Sequence, residues 1–519
     1  MDIFNEIEKD FPVDQWKIND IHIWPHLRIQ ICVALNRVNH GNSIMSQGNS
    51  SNVSSFTLAR DLSFQHKIRI YLRIKIRAIV AVLKRPFLFL KYGFTWRKIN
   101  ESKFDLLFLA VTSTTVELMN KWFNIQNDPF LSHLEGKNIA SLVLERSNGV
   151  PFLKPLFFPD DHFNLDAYVE GYLWKNKVNV ENHNDHLDRY NEFTAVVKKR
   201  FPGYNLEGVI SIQKLTEQVV KIQSIANLFI EIITNSGIKI CFITNIDTII
   251  GMALCHACRK LNIPSVDLQH GIQGDLHAGY NRWHNIPSEG YSILPSIFWN
   301  WSKEQQMHID KWAINSGRMH RSICGGSAWV NMWKNKQNKL ASNYDKEMAA
   351  ITNNDSNQVY VLYTMQPFFA DTLSDRVIEA YKNSPSNWKW WFRLHPRQLE
   401  KGNKIIEDVQ KVISINKSDI LLPSELPLPL LLSFANVHVT PTSSVVLEAE
   451  FFSVPSVVTD PAAPVIYQEQ LKNGIMVYSD EDNDLISSIK QQLKYKVSSV
   501  EGVDSFKEFD LLLNECGVG

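Results

Sequence analysis

The sequence is poor in cysteine, has no excess of either charge and contains no long apolar run. Its 6 cysteines are scattered over 519 residues, which is too sparse for the disulfide framework of a small secreted scaffold. Lys plus Arg and Asp plus Glu each number 54, so the formal net charge is zero. Bulk nucleic-acid binding, which needs a basic surface, is therefore not predicted.

The first residues carry no export signal. The segment MDIFNEIEKDFP (Met1–Pro12) is acidic and lacks the basic start and apolar run of a signal peptide. The longest apolar stretch that follows, Ala78–Leu90, is interrupted by Lys84-Arg85-Pro86 and falls short of the ~18 residues that a spanning helix needs. We therefore predict a cytoplasmic protein.

One segment departs from the charge balance of the whole chain. Residues 66–98 contain many Lys and Arg and no acidic residue. A helix with such a face would attract anionic lipid, which predicts peripheral contact with the inner face of the cytoplasmic membrane. The alternative is a solvated basic face on a helix packed against the next domain, and the sequence leaves both open.

From residue 103 onward, short apolar runs alternate with amphipathic helices. Phe104–Thr112, Ile238–Thr244 and Ser265–Leu268 are predicted strands, and 212–233 is a predicted helix that ends before Gly237. The segment VELMNKWFNI, after the Thr-rich turn at 112–115, is also predicted to be helical. This alternation predicts a parallel sheet covered by helices.

The same alternation restarts near residue 318. The predicted strands include Gln358–Thr364, the aromatic WKWWFR segment and NVHVT, each followed by a loop and a helical pattern. We therefore predict an α/β protein with two Rossmann-like domains facing across a cleft. The predicted boundaries are 1–99 for a helical N-terminal extension, 100–300 and 318–490 for the two domains, and 491–519 for a C-terminal tail.

The second unit contains a predicted phosphate-binding point. Ser443 and Ser444 follow a strand where the next helix begins, so hydroxyls and unpaired backbone amides would lie together there. Glu448, about one turn into that helix, is placed to accept hydrogen bonds from a ribose diol. The alternative is ordinary helix capping by either serine with Glu448 on the surface.

A second donor cluster lies in FRLHPRQ, about 47 residues earlier. Arg393, His395 and Arg397 follow the aromatic strand, and Pro396 stops it. Guanidinium and imidazole groups can bind a phosphate by charge-assisted hydrogen bonds. We expect this cluster on the strand next to the one that precedes Ser443. Thr364, at the end of the strand Gln358–Thr364, joins the predicted nucleotide-binding residues.

In the first unit, Gln269-His270-Gly271 closes the strand Ser265–Leu268. Gly271 would permit a sharp turn, and the imidazole of His270 could take a proton from a hydroxyl at neutral pH. Asp267 and Asp275 are rival bases, and Glu117 is a weaker one. The alternative role for His270 is to order its loop through a backbone carbonyl.

Two further features have a structural and a functional interpretation. Gly325-Gly326, at a strand-to-helix turn, could let backbone amides approach a phosphate, or could be an ordinary turn. Cys255-His256-Ala257-Cys258 matches C-x-x-C, but it lies in an apolar helical pattern without a second pair. We therefore predict buried reduced thiols in preference to a metal or redox site.

In their order along the chain, His-Gly, R-x-H-P and Ser-Ser with a downstream acid resemble GT-B glycosyltransferases. They are most similar to cytidine-nucleotide-using enzymes: bacterial sialyl- and polysialyltransferases, β-Kdo transferases and the glycerophosphotransferases of teichoic acid synthesis. The resemblance implies donor phosphate contacts for His395-Pro396 and Ser443-Ser444. It also implies a base at His270, although Gln269 stands where those glycerophosphotransferases have Trp.

The combined prediction is a GT-B glycosyltransferase that builds a bacterial surface glycan such as capsule or lipopolysaccharide O-antigen. Its donor would be a nucleotide sugar, with a CMP-linked acidic sugar favoured, and its acceptor a glycan or lipid-linked glycan. No D-x-D pair is found in a convincing context, so no metal or other cofactor is expected. The alternatives are a CDP-glycerol-type phosphotransferase on the same fold and a non-catalytic partner in polysaccharide assembly.

Overall fold

The computed structural model describes residues 2–44, 97–99, 101–147, 153–176, 185–273, 277–280, 282–334, 340–352, 357–366, 373–495 and 502–519. Most of the basic segment 66–98, as well as Asp275, lies outside these residues. At the end of that segment, Arg97 pairs with Glu101 and Lys98 with Asp161. In the described part of the chain, no helix combines the length and apolar character required to cross a bilayer.

The strands β1 to β17 are, in chain order, Lys17–Ile18, Ile21–His22, Leu106–Val111, Thr115–Leu118, Lys121–Asn124, Ser141–Arg146, His162–Asn164, Asp185–His186, Ile240–Ile243, Ser265–Leu268, Ile297–Asn300, Arg321–Cys324, Val359–Thr364, Trp388–Arg393, Val437–Thr440, Ser456–Val458 and Met476–Tyr478. The helices span Asp2–Asp10, Trp24–Ile44, Asp128–Leu134, Asp166–Lys175, Tyr190–Arg200, Glu207–Ile210, Ile212–Ser236, Ile249–Leu261, Lys303–Ala313, Ala328–Lys334, Asp345–Thr352, Asp375–Lys382, Gly402–Val412, Ser418–Glu425, Leu428–Leu432, Val445–Phe451, Ala463–Ile466, Gln468–Lys472, Leu485–Lys494 and Ser505–Glu515.

Two parallel sheets organise the chain. The first has seven strands in the order β12-β11-β10-β9-β3-β6-β7, and the second has five in the order β14-β13-β15-β16-β17. Every pairing within these two sheets is parallel. Counted within each domain, the orders are 7-6-5-4-1-2-3 and 2-1-3-4-5, the two common doubly wound arrangements. The predicted fold class of two Rossmann-like domains is confirmed.

Apolar residues on the sheet faces explain why these strands form. The strand β3 reads LLFLAV and is buried along its whole length, as expected for a strand covered by helices on both faces. The long helix Ile212–Ser236 packs beside it and ends at Gly237, whose φ of 77° supplies the left-handed cap. The predicted helix at 212–233 and the strands at 104–112, 238–244 and 265–268 are confirmed within one to three residues at each end.

The helix predicted for VELMNKWFNI is wrong, because this segment forms an antiparallel hairpin of β4 and β5. The turn residues Met119 and Asn120 both have positive φ, 51° and 60°. Two consecutive residues of that kind make the turn whose twist suits a two-residue hairpin. The β-branched and aromatic residues on either side favour strands, and this outweighed the helical spacing.

The N-terminal residues are built into the first domain through a buried charged cluster. Glu8 and Arg28 are fully buried and lie 2.8 Å apart, and the Trp24 indole donates to the same carboxylate oxygen at 2.8 Å. The other oxygen accepts from the backbone N–H of His284 at 2.6 Å. The Arg28 guanidinium also lies 4.2 Å from the ring centre of Trp283. The first helices therefore hold the loop at 282–285.

The C-terminal residues return to the first domain. The helix Leu485–Lys494 packs in the core of the second sheet, whereas Phe509, Leu512 and Leu513 of the last helix pack against the first sheet. The segment predicted as a C-terminal tail thus contains a helix that is part of the first domain's core. The two domains are consequently joined at two places along the chain.

Candidate functional site

The loop after β9 places an acidic side chain at the carboxyl edge of the first sheet. Thr248 caps the helix Ile249–Leu261, its hydroxyl accepting from the backbone N–H of Gly251 at 3.0 Å. A Cβ on Gly251 would lie 2.3 Å from the carbonyl oxygen of Asn245, so only glycine lets the loop fold this closely over the helix. Asn245 also accepts from the backbone N–H of Asp247 at 2.9 Å. The position of Asp247 is therefore fixed by its loop.

The neighbouring turn carries His270 and is held by Gln269. The buried Gln269 amide donates to the carbonyl of Gly271 at 2.8 Å, and its oxygen accepts from the backbone N–H of Trp301 at 2.6 Å. β9 and β10 pair in parallel with Asp267 opposite Ile243, so Asp247 and His270 both follow their strands at the same edge. Gln269 thus has a structural role in shaping the His270 turn.

Asp247, His270 and His277 form one electrostatic cluster. The Asp247 carboxylate lies 3.8 Å from His277 Nε2, and its other oxygen is buried without a hydrogen-bond partner among the described residues. Burial raises the pKa of Asp247, and His270 opposes that shift. Burial lowers the pKa of His270, while Asp247 opposes and His277 adds to the lowering. Within the described part of the chain His270 Nδ1 also has no hydrogen-bond partner. Burial therefore favours the neutral form of the His270 ring.

The two rival bases of the first domain are placed differently. Asp267 is fully buried inside β10, where its carboxylate accepts from the Gln273 amide at 3.3 Å. Burial raises the pKa of Asp267 well above its usual range, and the fully buried side chain is closed to a substrate, so it is poorly suited to act as a base. Asp275 lies outside the described residues. Glu117 lies in β4, within the hairpin.

In the second domain, Arg393 ends β14 and holds a neighbouring loop. Its Nη1 donates to the carbonyl oxygens of Pro423 and Leu426, the latter at 2.6 Å. Burial lowers the pKa of Arg393 to about 10, and the Glu448 carboxylate opposes this shift. Arg393 remains charged at neutral pH, and part of its donor capacity is already used by the protein.

The strand predicted to neighbour that of Arg393 is not adjacent to it. β13 lies between β14 and β15, with Thr364 opposite Arg393. The prediction missed this because consecutive strands are usually neighbours, whereas here the chain steps across β13. Thr364 is buried, and its hydroxyl hydrogen bonds with His438 Nε2 at 2.8 Å. The Thr364 hydroxyl is therefore used within the sheet, in a buried hydrogen bond between β13 and β15.

His395 and Pro396 lie at that same edge, beyond the end of β14. The His395 backbone N–H donates to the Gln398 side chain at 2.9 Å, and the exposed Pro396 begins a short 3₁₀ helix. The His395 ring is partly exposed. The Arg397 side chain is not among those described.

Ser443 and Ser444 lead into the helix Val445–Phe451. Ser443 is buried, and its hydroxyl accepts from the backbone N–H of Val445 at 3.3 Å. Ser444 is partly exposed, and its side chain makes no capping hydrogen bond. The helix has only seven residues, so any anion bound here depends on side chains more than on a helix dipole.

Burial strongly alters the protonation of Glu448 in the second domain. Its side chain is half-buried, and burial raises its pKa to about 7 with Arg393 opposing the rise. Glu448 and Arg393 are thus brought together electrostatically, as a nucleotide site built from both motifs requires.

The two halves of the site meet at the domain interface. Trp301 and Ile272 of the first domain pack against Leu447 and Tyr467 of the second. Ile272 lies two residues after His270, and Leu447 directly precedes Glu448. A small cavity of about 70 Å³ between them is lined by residues of both domains. The His270 turn therefore faces the helix that carries Glu448.

Other predicted features are structural. Gly326 has φ 70°, and a Cβ there would lie 2.8 Å from Ser505 Oγ, so this glycine accommodates the C-terminal segment. Cys255 and Cys258 are buried free thiols on one helix, and burial raises the pKa of both well above the usual range, which makes them unreactive. Among the described residues, no group of three or more His, Cys, Asp or Glu is arranged to hold a metal ion.

Asp247 and His277 were not among the site residues predicted from the sequence. Asp247 follows the predicted strand Ile238–Thr244 and directly precedes the Thr that caps the next helix, which is where loop side chains face a ligand cleft in such sheets. That position could have identified it. His277 has no comparable pattern, because no predicted strand or helix ends directly before it.

Comparison with known proteins gives only distant structural likenesses. No protein-family model and no curated protein matches the sequence. Among solved structures, UDP-GlcNAc 2-epimerase from Methanocaldococcus jannaschii is similar with a TM-score of 0.49 and 15% identity, over 79% of this chain and 99% of that one. UDP-GlcNAc 2-epimerase from Neisseria meningitidis is similar with a TM-score of 0.47 and 13% identity, over 79% of this chain and 99% of that one. The wall teichoic acid polymerase TagF is similar with a TM-score of 0.42 and 10% identity, over 88% of this chain and 99% of that one.

Proposed function

We propose that this protein is a GT-B glycosyltransferase that moves a sugar from a nucleotide donor, with a CMP-linked acidic sugar favoured, to a bacterial surface glycan. The observation that carries the proposal is the meeting of the His270 turn with the Glu448 helix across the domain interface. A transferase needs its base and its donor site on opposite walls of one cleft, and these two elements supply them.

In the proposed reaction, His270 takes the proton of an acceptor hydroxyl as its oxygen attacks the anomeric carbon. The bond between that carbon and the donor phosphate breaks, and the nucleotide leaves with the bonding electron pair. Asp247 stabilises the imidazolium that forms, since a nearby carboxylate favours the charged state of the ring. His395, Ser443 and Ser444 would contact the leaving phosphate through hydrogen bonds.

Arg393 and Glu448 have a different proposed role at the nucleoside end. The guanidinium, fixed on two carbonyl oxygens, holds the loop at 423–426 and keeps a positive charge at this edge. The Glu448 carboxylate would accept hydrogen bonds from the ribose hydroxyls.

The proposal predicts that cytidine nucleotides stabilise the protein against heat. At 100 times its Kd, a ligand adds about 2.7 kcal/mol, which corresponds to roughly 5–10 °C in a domain of this size. We expect CMP or CDP to give this shift, and UDP and GDP to give less, in a thermal-unfolding assay. Glu448→Gln should reduce the shift. Glu450→Gln is the matched control, because Glu450 lies on the same helix as Glu448 but its carboxylate accepts from the Gln470 side chain of another helix. If none of the four nucleotides binds the full chain, the transferase proposal fails.

Nucleotide affinity should also depend on pH through Glu448. With a pKa of about 7, this carboxyl is mostly protonated at pH 6 and mostly ionised at pH 8. Because the ionised form is the better acceptor for a diol, affinity should rise over this interval by up to about tenfold. Titration calorimetry with CDP at both pH values measures the rise. Glu450→Gln controls for titration of the phosphate itself, so an equal rise in Glu448→Gln and Glu450→Gln would contradict the assignment.

A further inference from the structure

A large cavity opens at the carboxyl edge of the first sheet, beside the loop that carries Asp247. It has a volume of about 710 Å³ and extends from the ends of β6 and β7 to the start of the helix Ile249–Leu261. Ligand pockets commonly enclose 300–1,000 Å³. Thr248 and Ile249 line it and directly follow Asp247, so the cavity and the His270 turn lie along one edge of the same sheet.

The polar lining is charge-balanced. Arg146 and Lys221 supply two positive charges, and Asp166 and Glu170 supply two negative ones. The Arg146 Nε lies 3.8 Å from an oxygen of Asp166, which already neutralises much of its charge. A pocket for a phosphate chain would have an excess of cationic donors. The lining of this cavity has no excess of positive charge, so it is unsuited to a glycerol phosphate polymer.

The lining nevertheless keeps hydrogen-bonding capacity. The Arg146 Nε is buried with no hydrogen-bond partner in the described part of the chain. The Ser147 hydroxyl and backbone N–H both bond one oxygen of Asp166, at 2.6 and 2.9 Å, and so hold that carboxylate in place with its other oxygen toward Arg146. The Arg146 guanidinium thus supplies hydrogen-bond donors and the Asp166 carboxylate an acceptor, and Ser147 fixes the carboxylate in place.

The cavity also has an apolar part. Val169 and Leu173 line it on the same helix as Asp166 and Glu170, and Ile225 and the Ile249–Ile250 pair add apolar side chains from two other helices. A sugar ring has the matching character, with hydroxyls at its edge and C–H groups on its faces. A lipid chain would leave the buried Arg146 Nε unsatisfied, at a cost of desolvation.

From this cavity we infer that the first domain binds an uncharged sugar residue at the end of the acceptor glycan, in contact with the Arg146–Asp166 pair and with the apolar side chains beside it. The inference rests on the proposed transferase function and specifies its acceptor. It places the acceptor hydroxyl on the Asp247 side of His270, opposite the nucleotide. It also disfavours glycerol phosphate as the acceptor unit.

Saturation-transfer NMR on the full chain tests this without a donor. The probes are methyl α-glucoside, methyl α-galactoside and methyl N-acetyl-β-glucosaminide, with glycerol 3-phosphate as the comparison. We expect transfer to at least one glycoside and a loss of most of that transfer in Ala167→Trp, which fills the cavity. Asn164→Leu, in which the new side chain is similar in size to the old one but apolar, should also reduce the saturation transfer to the glycoside. This variant replaces Ala167→Trp if circular dichroism shows that Ala167→Trp is unfolded.

The matched control fills a different cavity of similar size. Ser414 lines a space of about 630 Å³ beside β14 in the second domain, far along the sheet from Arg393's end. Ser414→Trp should leave glycoside transfer unchanged. The inference is overturned if no glycoside receives saturation, if Ala167→Trp and Asn164→Leu both leave the transfer intact, or if glycerol 3-phosphate is the only probe that receives saturation. Glycoside binding without any nucleotide-induced thermal shift would keep the cavity assignment and defeat the transferase proposal.

Discussion

Replacing His270 with Gln is expected to slow nucleotide release from the donor by about 10²–10⁴-fold, the usual contribution of a general base. Gln keeps much of the size and polarity of the imidazole but cannot accept the hydroxyl proton. Because the ring lies on the first domain and the nucleotide groups on the second, nucleotide binding should be unchanged. The substrates are CMP-N-acetylneuraminic acid, CMP-Kdo and CDP-glycerol, and the readout is free CMP.

The Asp247→Asn variant shows whether the carboxylate acts through His270. Asp247 opposes the lowering of the His270 pKa, so its loss lets that pKa fall further. The acid limb of the pH–rate profile should therefore move to lower pH, with a smaller maximal rate because the imidazolium is no longer stabilised. A merely structural role would lower the rate without moving the limb. Nucleotide release by His270→Gln at the unaltered rate would exclude His270 as the base.

Removing the Glu8 side chain should destabilise the first domain more than any other single change considered. Glu8→Ala leaves the fully buried Arg28 without its counter-charge, and also leaves the Trp24 indole and the His284 N–H without their acceptor. Breaking a buried pair in this way costs about 3–5 kcal/mol. That corresponds to a decrease in Tm of roughly 10 °C, measurable by circular dichroism or scanning calorimetry.

The matched control for Glu8 lies on the same helix. Glu6 pairs with Arg200, but both side chains are about half exposed, at 53% and 46%. Glu6→Ala should therefore leave Tm nearly unchanged. Equal melting temperatures for Glu8→Ala and the wild-type protein would mean that the buried cluster does not hold the first domain together.

The fold was largely predictable because its strands are short, apolar and bounded by turn residues. β3 and β13 were recognisable from short apolar runs such as LLFLAV bounded by turn residues, and β10 from its place in the alternation of strands and helices. The hairpin of β4 and β5 was not, since its apolar residues also fit a helix and its turn uses Met119, a residue rarely found at positive φ.

The site was predictable in part. Motif positions identified Arg393 and Glu448, which the fold brings together although β13 separates their strands. Asp247 escaped attention because a single acidic residue in a loop carries little information without knowledge of what faces it. Its significance depends on His270 and His277, which approach it only when β9 and β10 pair in space.

The return of the last helix to the first domain constrains how the cleft can open. A protein whose domains share a single linker can swing them apart in any direction, but here the polypeptide crosses the gap twice. Two connections permit fewer directions of relative motion than one. Any opening that admits substrate or releases product is therefore confined to the rotations that both connections allow.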